Sequence, residues 1–154
     1  MHIVTGIDCI NLNVSYYRFV VKMMKKIITS SKAPIAVGPY SQAVLHESGY
    51  ILELSGQIGV DPMTGKLVDG GITAQTEQTL ANIRAVLSEI GWDFEHIIKV
   101  RIYLVDITDY SIVNSIYIKK FGNEFPARVA LAVKQLPLGA LVEIECSAGG
   151  ESIS

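Results

Sequence analysis

Two charged side chains sit beside otherwise apolar alternating runs. Arg128 follows Phe125-Pro126-Ala127 and opens a run in which Val129, Leu131 and Val133 alternate with Ala130 and Ala132. Glu143 lies in a later run, where Val142, Ile144 and Cys146 alternate with Leu141, Glu143 and Glu145. Both have the parity opposite to their apolar neighbours, so the two can share a cleft. A guanidinium at a pocket mouth offers a planar two-pronged match to a carboxylate, which an ammonium cannot reproduce. A nearby glutamate can accept a proton from water. Together they suggest a site that anchors a small carboxylic acid and hydrates a neighbouring electrophilic carbon. An ion pair across a sheet, or two solvent-facing side chains, accounts for the same spacing, and both readings stay open at this level. Tyr40, after Gly38-Pro39, reads as a pocket residue or as loop packing, and Ser55, before Gly56, as a pocket residue or as turn chemistry. Asn114 interrupts a helical pattern as a mildly poor helix former, which points to a side-chain role.

Other chemistries find little support. The sequence holds no G-x-S-x-G, P-loop, H-E-x-x-H or strand-linked G-x-G-x-x-G motif. His2, His46 and His96 are isolated, and Cys9 and Cys146 have no metal-type spacing, so no metal is expected. Cys146 falls on an apolar alternation and reads as a small buried hydrophobe. Thirteen Lys and Arg against fifteen Asp and Glu, a net charge of −2, argue against nucleic acid as a partner.

The elements that must position these residues follow from periodicity. Lys25 to Thr29, Ser41 to Leu45 and Tyr50 to Ser55 read as strands, the last two joined by a turn at Ser48-Gly49. Asp61-Pro62-Met63-Thr64-Gly65 reverses the chain. Between Ile72 and Ile90, the residues Leu80, Ile83, Leu87 and Ile90 fall on one helical face, with Gly91 as the stop. Ile98, Val100, Ile102 and Leu104 alternate with polar residues as a half-buried strand. A second helix is capped by Thr108 or Asp109, lined by Tyr110, Val113, Tyr117 and Phe121, and ended by Gly122. The Arg128 and Glu143 strands close the chain through Leu136-Pro137-Leu138-Gly139. The order β-β-β-α-β-α-β-β predicts an α+β fold, with two helices on one face of a mixed sheet.

A chain of 154 residues fits one domain at about 150 residues per domain. Residues 1–23 have neither the basic start nor the continuous apolar stretch of a secretory signal, and are expected to lie outside a domain spanning 24–154. No apolar run approaches the roughly 18 residues of a membrane helix. With no export signal and no cysteine framework, a soluble protein in the reducing cytoplasm is the expectation. Only 18% of residues are charged and mean hydropathy is +0.35, so an oligomer that hides apolar surface is expected.

A series of separated blocks is more specific than any of these features alone. Gly38-Pro39-Tyr40-Ser41-Gln42-Ala43, Ser55-Gly56-Gln57-Ile58, Asp61-Pro62-Met63-Thr64-Gly65, Ala74-Gln75-Thr76, Val113-Asn114-Ser115-Ile116-Tyr117, Phe125-Pro126-Ala127-Arg128 and the stretch from Leu136 to Glu145 together resemble the RidA (YjgF-like) family of reactive intermediate deaminases. The resemblance runs from Lys25 to Ala148.

That resemblance implies a chorismate-mutase-like fold assembled as a homotrimer with clefts between subunits. It implies hydrolysis of 2-imino acids and their enamine tautomers (2-iminobutanoate, 2-iminopropanoate), released by pyridoxal-phosphate enzymes, to 2-oxo acids and ammonia, with no cofactor on the protein itself. By the same resemblance Arg128 clamps the substrate carboxylate, aided by the backbone N–H groups of Gly56 and Ala130. Glu143 orients and deprotonates water, Tyr40 and Ser55 line the pocket, and Asn114 supports it from the second helix. Ala130 stands where the family often has Ser, Thr or Cys, and Val129 replaces a common small polar residue. Gly59 and Leu138 stand where Pro and Lys are frequent. The alternatives are a trimer that binds small 2-oxo acids without turnover and, more remotely, RNA cleavage or translation inhibition.

Overall fold

The computed structural model describes residues 24–153. The expected extension, residues 1–23, lies outside the described residues. Ten regular elements follow in order: β1 (Met24–Ile28), β2 (Ala43–Glu47), β3 (Tyr50–Ile58), β4 (Val60–Asp61), β5 (Lys66–Leu67), α1 (Gly71–Ser88), β6 (Ile97–Leu104), α2 (Tyr110–Phe121), β7 (Ala127–Ala132) and β8 (Val142–Gly150). The expected order is present, with the small β4–β5 ladder added around the Asp61–Gly65 turn, where Gly65 takes a positive φ of 68°. β1 pairs antiparallel with β2, whereas β3 pairs with β8, so the turn at Ser48-Gly49 joins two strands that are not partners.

The central sheet has the order β3-β8-β6-β7 and is mixed, because β6 runs parallel to β7 and antiparallel to β8. β6 alternates as its sequence requires: Val100, Ile102 and Leu104 are buried, while Lys99, Arg101 and Tyr103 face the other side. Leu80, Ile83 and Leu87 of α1 join Val113, Ile116 and Tyr117 of α2 on the buried side, in one core with Val142, Ile144 and Cys146 of β8. Each such apolar side chain is worth about 1.5–3 kcal/mol relative to exposure. Both helices therefore lie over one sheet face. Gly91 (φ 73°) and Gly122 (φ 67°) stand just past the two helices in left-handed backbone, as their positions predicted.

Two local expectations are corrected. Neither Thr108 nor Asp109 caps α2 with its side chain. Asp106 does the capping one turn earlier, accepting from the Thr108 N–H over a short 3-10 turn, Ile107–Asp109, that leads into the helix. In β7 the apolar alternation points outward: Val129 and Leu131 are each 40% exposed, while Arg128 and Ala130 sit opposite core residues Val100 and Ile102. Cross-strand partners share a face, so the register places Arg128 on the helix side of the sheet.

Candidate functional site

Arg128 lies on β7, an outer strand of the central sheet, beneath one face of α2. Its Nη1 donates to Asn114 Oδ1 at 2.8 Å and its Nη2 to the Tyr110 hydroxyl at 2.7 Å. The guanidinium carbon lies 4.9 Å from the Tyr117 ring centroid and 5.4 Å from that of Tyr110. Residues 110, 114 and 117 recur at helical spacing, so about two turns of α2 supply both acceptors and both aromatic faces. Every partner is neutral. The ion pairs among the described residues are Arg84–Asp93 and Arg101–Glu145, so the Arg128 charge has no carboxylate there to offset it. Tyr117 is fully buried, its hydroxyl has no hydrogen-bond partner among the described residues, and burial pushes its phenol above its ordinary pKa.

The Gly38–Ser41 loop reaches the same edge. Ser41 lies outside the strands but forms an isolated parallel bridge to Ala127; its N–H donates to Pro126 O at 3.1 Å and its hydroxyl to Phe125 O at 2.6 Å. A Cβ built on Gly38 would stand 3.6 Å from the Tyr110 hydroxyl and 3.7 Å from the Tyr40 ring, so Tyr40 is carried to the Arg128 side. Val133 N–H donates to Leu104 O on β6, whereas Pro126 O points to the Ser41 side. By the two-residue alternation of a strand, the Ala130 N–H also faces that outer edge.

Glu143 occupies the other sheet face. It is the register partner of Tyr103 on β6, next to a network in which Arg101 Nη1 and the Tyr103 hydroxyl both donate to Glu145 Oε1 at 3.0 Å. On β3, Ser55 and Gly56 fall in a bulge between the pairs Leu54–Cys146 and Gln57–Ile144. The Glu143 side chain lies against Gly56 so closely that a Cβ there would overlap its carboxylate. Gly56 is not among the positive-φ glycines, so the close approach, not the backbone, calls for glycine.

One chain thus holds two groups: Arg128, Asn114, Tyr40 and Ala130 at the β7 edge, and Ser55, Gly56 and Glu143 around β3 and β8. At about 4.8 Å per strand, β3 is about 14 Å from β7 across the sheet, too far for one small carboxylate to touch both Gly56 N–H and Arg128. The shared cleft anticipated for Arg128 and Glu143 is therefore not formed within a chain, because their register partners, Val100 and Tyr103, differ by an odd number of residues along β6. An ion pair between them is likewise absent.

Tyr110 is the residue that sequence reasoning missed: its place in the apolar stripe of α2 concealed a hydroxyl directed at Arg128. The 110-114-117 spacing around an already suspected Asn114 carried that signal. His96 is structural, stacked on Trp92 at 5.2 Å and accepting from Asp93 N–H, and Cys146 is 1% exposed with its thiol pushed up to about 12 by burial. A cavity of about 450 Å³ beside Lys25, Phe94 and Phe121 contains none of the predicted site residues.

The chain is similar to several known proteins. A bovine (Bos taurus) protein named 2-iminobutanoate/2-iminopropanoate deaminase is 46% identical over 126 residues, covering 82% of this chain and 90% of that protein. The crystal structure of a protein of unknown function of the conserved Rid protein family from Yersinia pestis is 47% identical, with a TM-score of 0.64 over 82% of this chain and 99% of that one. That of a putative endoribonuclease from Thermotoga maritima is 41% identical, with a TM-score of 0.65 over 84% of this chain and all of that one. The profile of the family described as Endoribonuclease L-PSP matches residues 30–149, and with these relatives it shows that the chain belongs to the Endoribonuclease L-PSP family, which includes the Rid proteins.

Proposed function

We propose that this protein hydrolyses 2-imino acids, with 2-iminobutanoate and 2-iminopropanoate as the expected substrates, to 2-oxo acids and ammonia. The observation that carries the reading is the guanidinium of Arg128, fixed by two neutral acceptors and two aromatic rings, with no carboxylate beside it among the described residues. A cation so held keeps its full charge and has N–H groups left for an external carboxylate.

The reaction adds water across C=N. Arg128 and the Ala130 N–H hold the substrate carboxylate, and Glu143 takes a proton as the water oxygen bonds to C2 and the C=N π electrons move to nitrogen. Glu143 returns that proton to nitrogen, giving the carbinolamine; the hydroxyl proton then passes by way of Glu143 to the nitrogen, the C–N bond breaks to release ammonia, and the C–O bond closes to the 2-oxo group. The carbon is already electrophilic, so orientation beside one positioned water supplies much of the rate. The pocket is composite: the β7 edge of one copy meets the Ser55–Gly56–Glu143 face of another in a homotrimer, working in the cytoplasm. In favour of this are the separation of the two groups within a chain, the outward-facing Val129 and Leu131, and the low charge content.

The test adds purified protein to a dehydratase that generates 2-iminobutanoate, traps residual imine with semicarbazide, and follows ammonia and 2-oxobutanoate. Less trapped imine with wild type, but not with Arg128→Ala, is expected. Unchanged trapping with 2-oxobutanoate still bound would move the reading to a binding protein.

A further inference from the structure

Tyr110 accepts a hydrogen bond from Arg128 Nη2 through its hydroxyl oxygen at 2.7 Å, and its ring lies alongside the same guanidinium. Having accepted, the phenol keeps its own proton, for which the described residues provide no acceptor. Its oxygen also borders the Gly38 loop that carries Tyr40. Together with Arg128, the phenol makes a contiguous set of donors with N–H and O–H groups left over, which an anionic oxygen can fill.

We propose that Tyr110 is a substrate-binding residue, its O–H donating to the carboxylate oxygen that Arg128 clamps and so selecting 2-imino acids over their neutral amide counterparts. This inference rests on the deaminase reading and adds a second side-chain donor, beside Arg128, to its anion site. The carboxylate is bound alike before and after water addition, so the phenol strengthens ground state and transition state together. Its loss should raise KM and leave kcat nearly unchanged.

The experiment compares wild type with Tyr110→Phe, which keeps the ring over Arg128. Binding of 2-oxobutanoate and 2-oxobutanamide is measured by calorimetry, and kcat and KM for 2-iminobutanoate are measured in the dehydratase-coupled assay. A hydrogen bond to a charged group is worth tenfold or more in affinity. Tyr110→Phe is therefore expected to weaken 2-oxobutanoate about tenfold, leave 2-oxobutanamide within about twofold, and raise KM about tenfold at a kcat within about twofold. Equal weakening of acid and amide, or a fall in kcat at constant KM, would reduce Tyr110 to a structural support and overturn the inference. Unchanged binding of both would do the same. A wild type that binds 2-oxobutanoate but turns over no imine would refute the deaminase reading and leave the binding role of Tyr110 to be judged by calorimetry. Should Tyr110→Phe misfold, an ultraviolet difference spectrum of wild type on adding 2-oxobutanoate replaces it. A tyrosine shift that persists when Tyr40 and Tyr117 are each replaced by phenylalanine supports the contact, and a flat wild-type spectrum, or a shift lost with either replacement, overturns it.

Discussion

Replacing Gly56 by alanine separates positioning from stability at one atom. The new Cβ would occupy the space of the Glu143 carboxylate, with the Glu143 Cδ at 2.7 Å and Cγ at 3.0 Å. The obstructing group is the free end of a side chain on a partly exposed sheet face, so Glu143 can swing away. An off-rotamer side chain costs about 0.5–1.5 kcal/mol. Alanine at a φ that any residue adopts returns about 0.4–1 kcal/mol by restricting the unfolded chain. The net change in stability is thus at most about 1 kcal/mol, a melting shift of a few degrees. Moving the carboxylate by about 1 Å is a different matter, since such misplacement of a catalytic group costs about 100-fold, or about 2.7 kcal/mol of barrier. The assay pairs differential scanning calorimetry with the semicarbazide-trapping rate, using Glu143→Gln as the reference for a carboxylate that no longer takes protons. Gly56→Ala should approach Glu143→Gln in rate while melting near wild type. Wild-type turnover in Gly56→Ala would refute the assignment of Glu143. A melting temperature lower by more than about 10 °C would show that the bulge itself needs glycine.

Gly59→Ala should behave in the opposite way: its Cβ would meet the Gln75 Cα at 2.7 Å and the Gln75 backbone oxygen at 2.9 Å, atoms that move only with α1, so calorimetry should record about 1–3 kcal/mol of destabilisation. In Arg128→Lys an ammonium cannot reach Asn114, Tyr110 and a carboxylate with planar geometry, so kcat/KM should fall at least 10-fold with circular dichroism unchanged; activity within threefold of wild type would argue that charge alone suffices. Cys146, 1% exposed and with a thiol pKa raised to about 12 by burial and by the nearby Glu53 and Glu145 charges, should resist iodoacetamide at pH 8 until denaturant is added, as read by peptide mass mapping. Since the folded state disfavours the thiolate, its contribution to stability is full below the ordinary thiol pKa and is lost as pH rises from there towards 12.

Local pattern determined much of this protein. The period of Leu80, Ile83 and Leu87, the alternation of Val100, Ile102 and Leu104, and the glycines at 91 and 122 specify their elements because burial and backbone geometry act within a few residues. The pairing of Arg128 with Asn114 was half legible, since a polar residue inside a helix and an arginine at a strand start each stood out alone.

Tertiary structure decided which way β7 faces. The alternation of Val129 and Leu131 has no sign of its own, and only the parallel register with β6 turns Arg128 toward α2 and those two apolar residues outward. The same register set Arg128 and Glu143 on opposite faces, a relation between strands that no spacing along the chain encodes. It also converted Tyr110 from a stripe residue into a partner of Arg128. The physical reason is common to all three: periodicity fixes which residues share a face of one element, whereas the faces that meet are chosen by packing between elements distant in sequence.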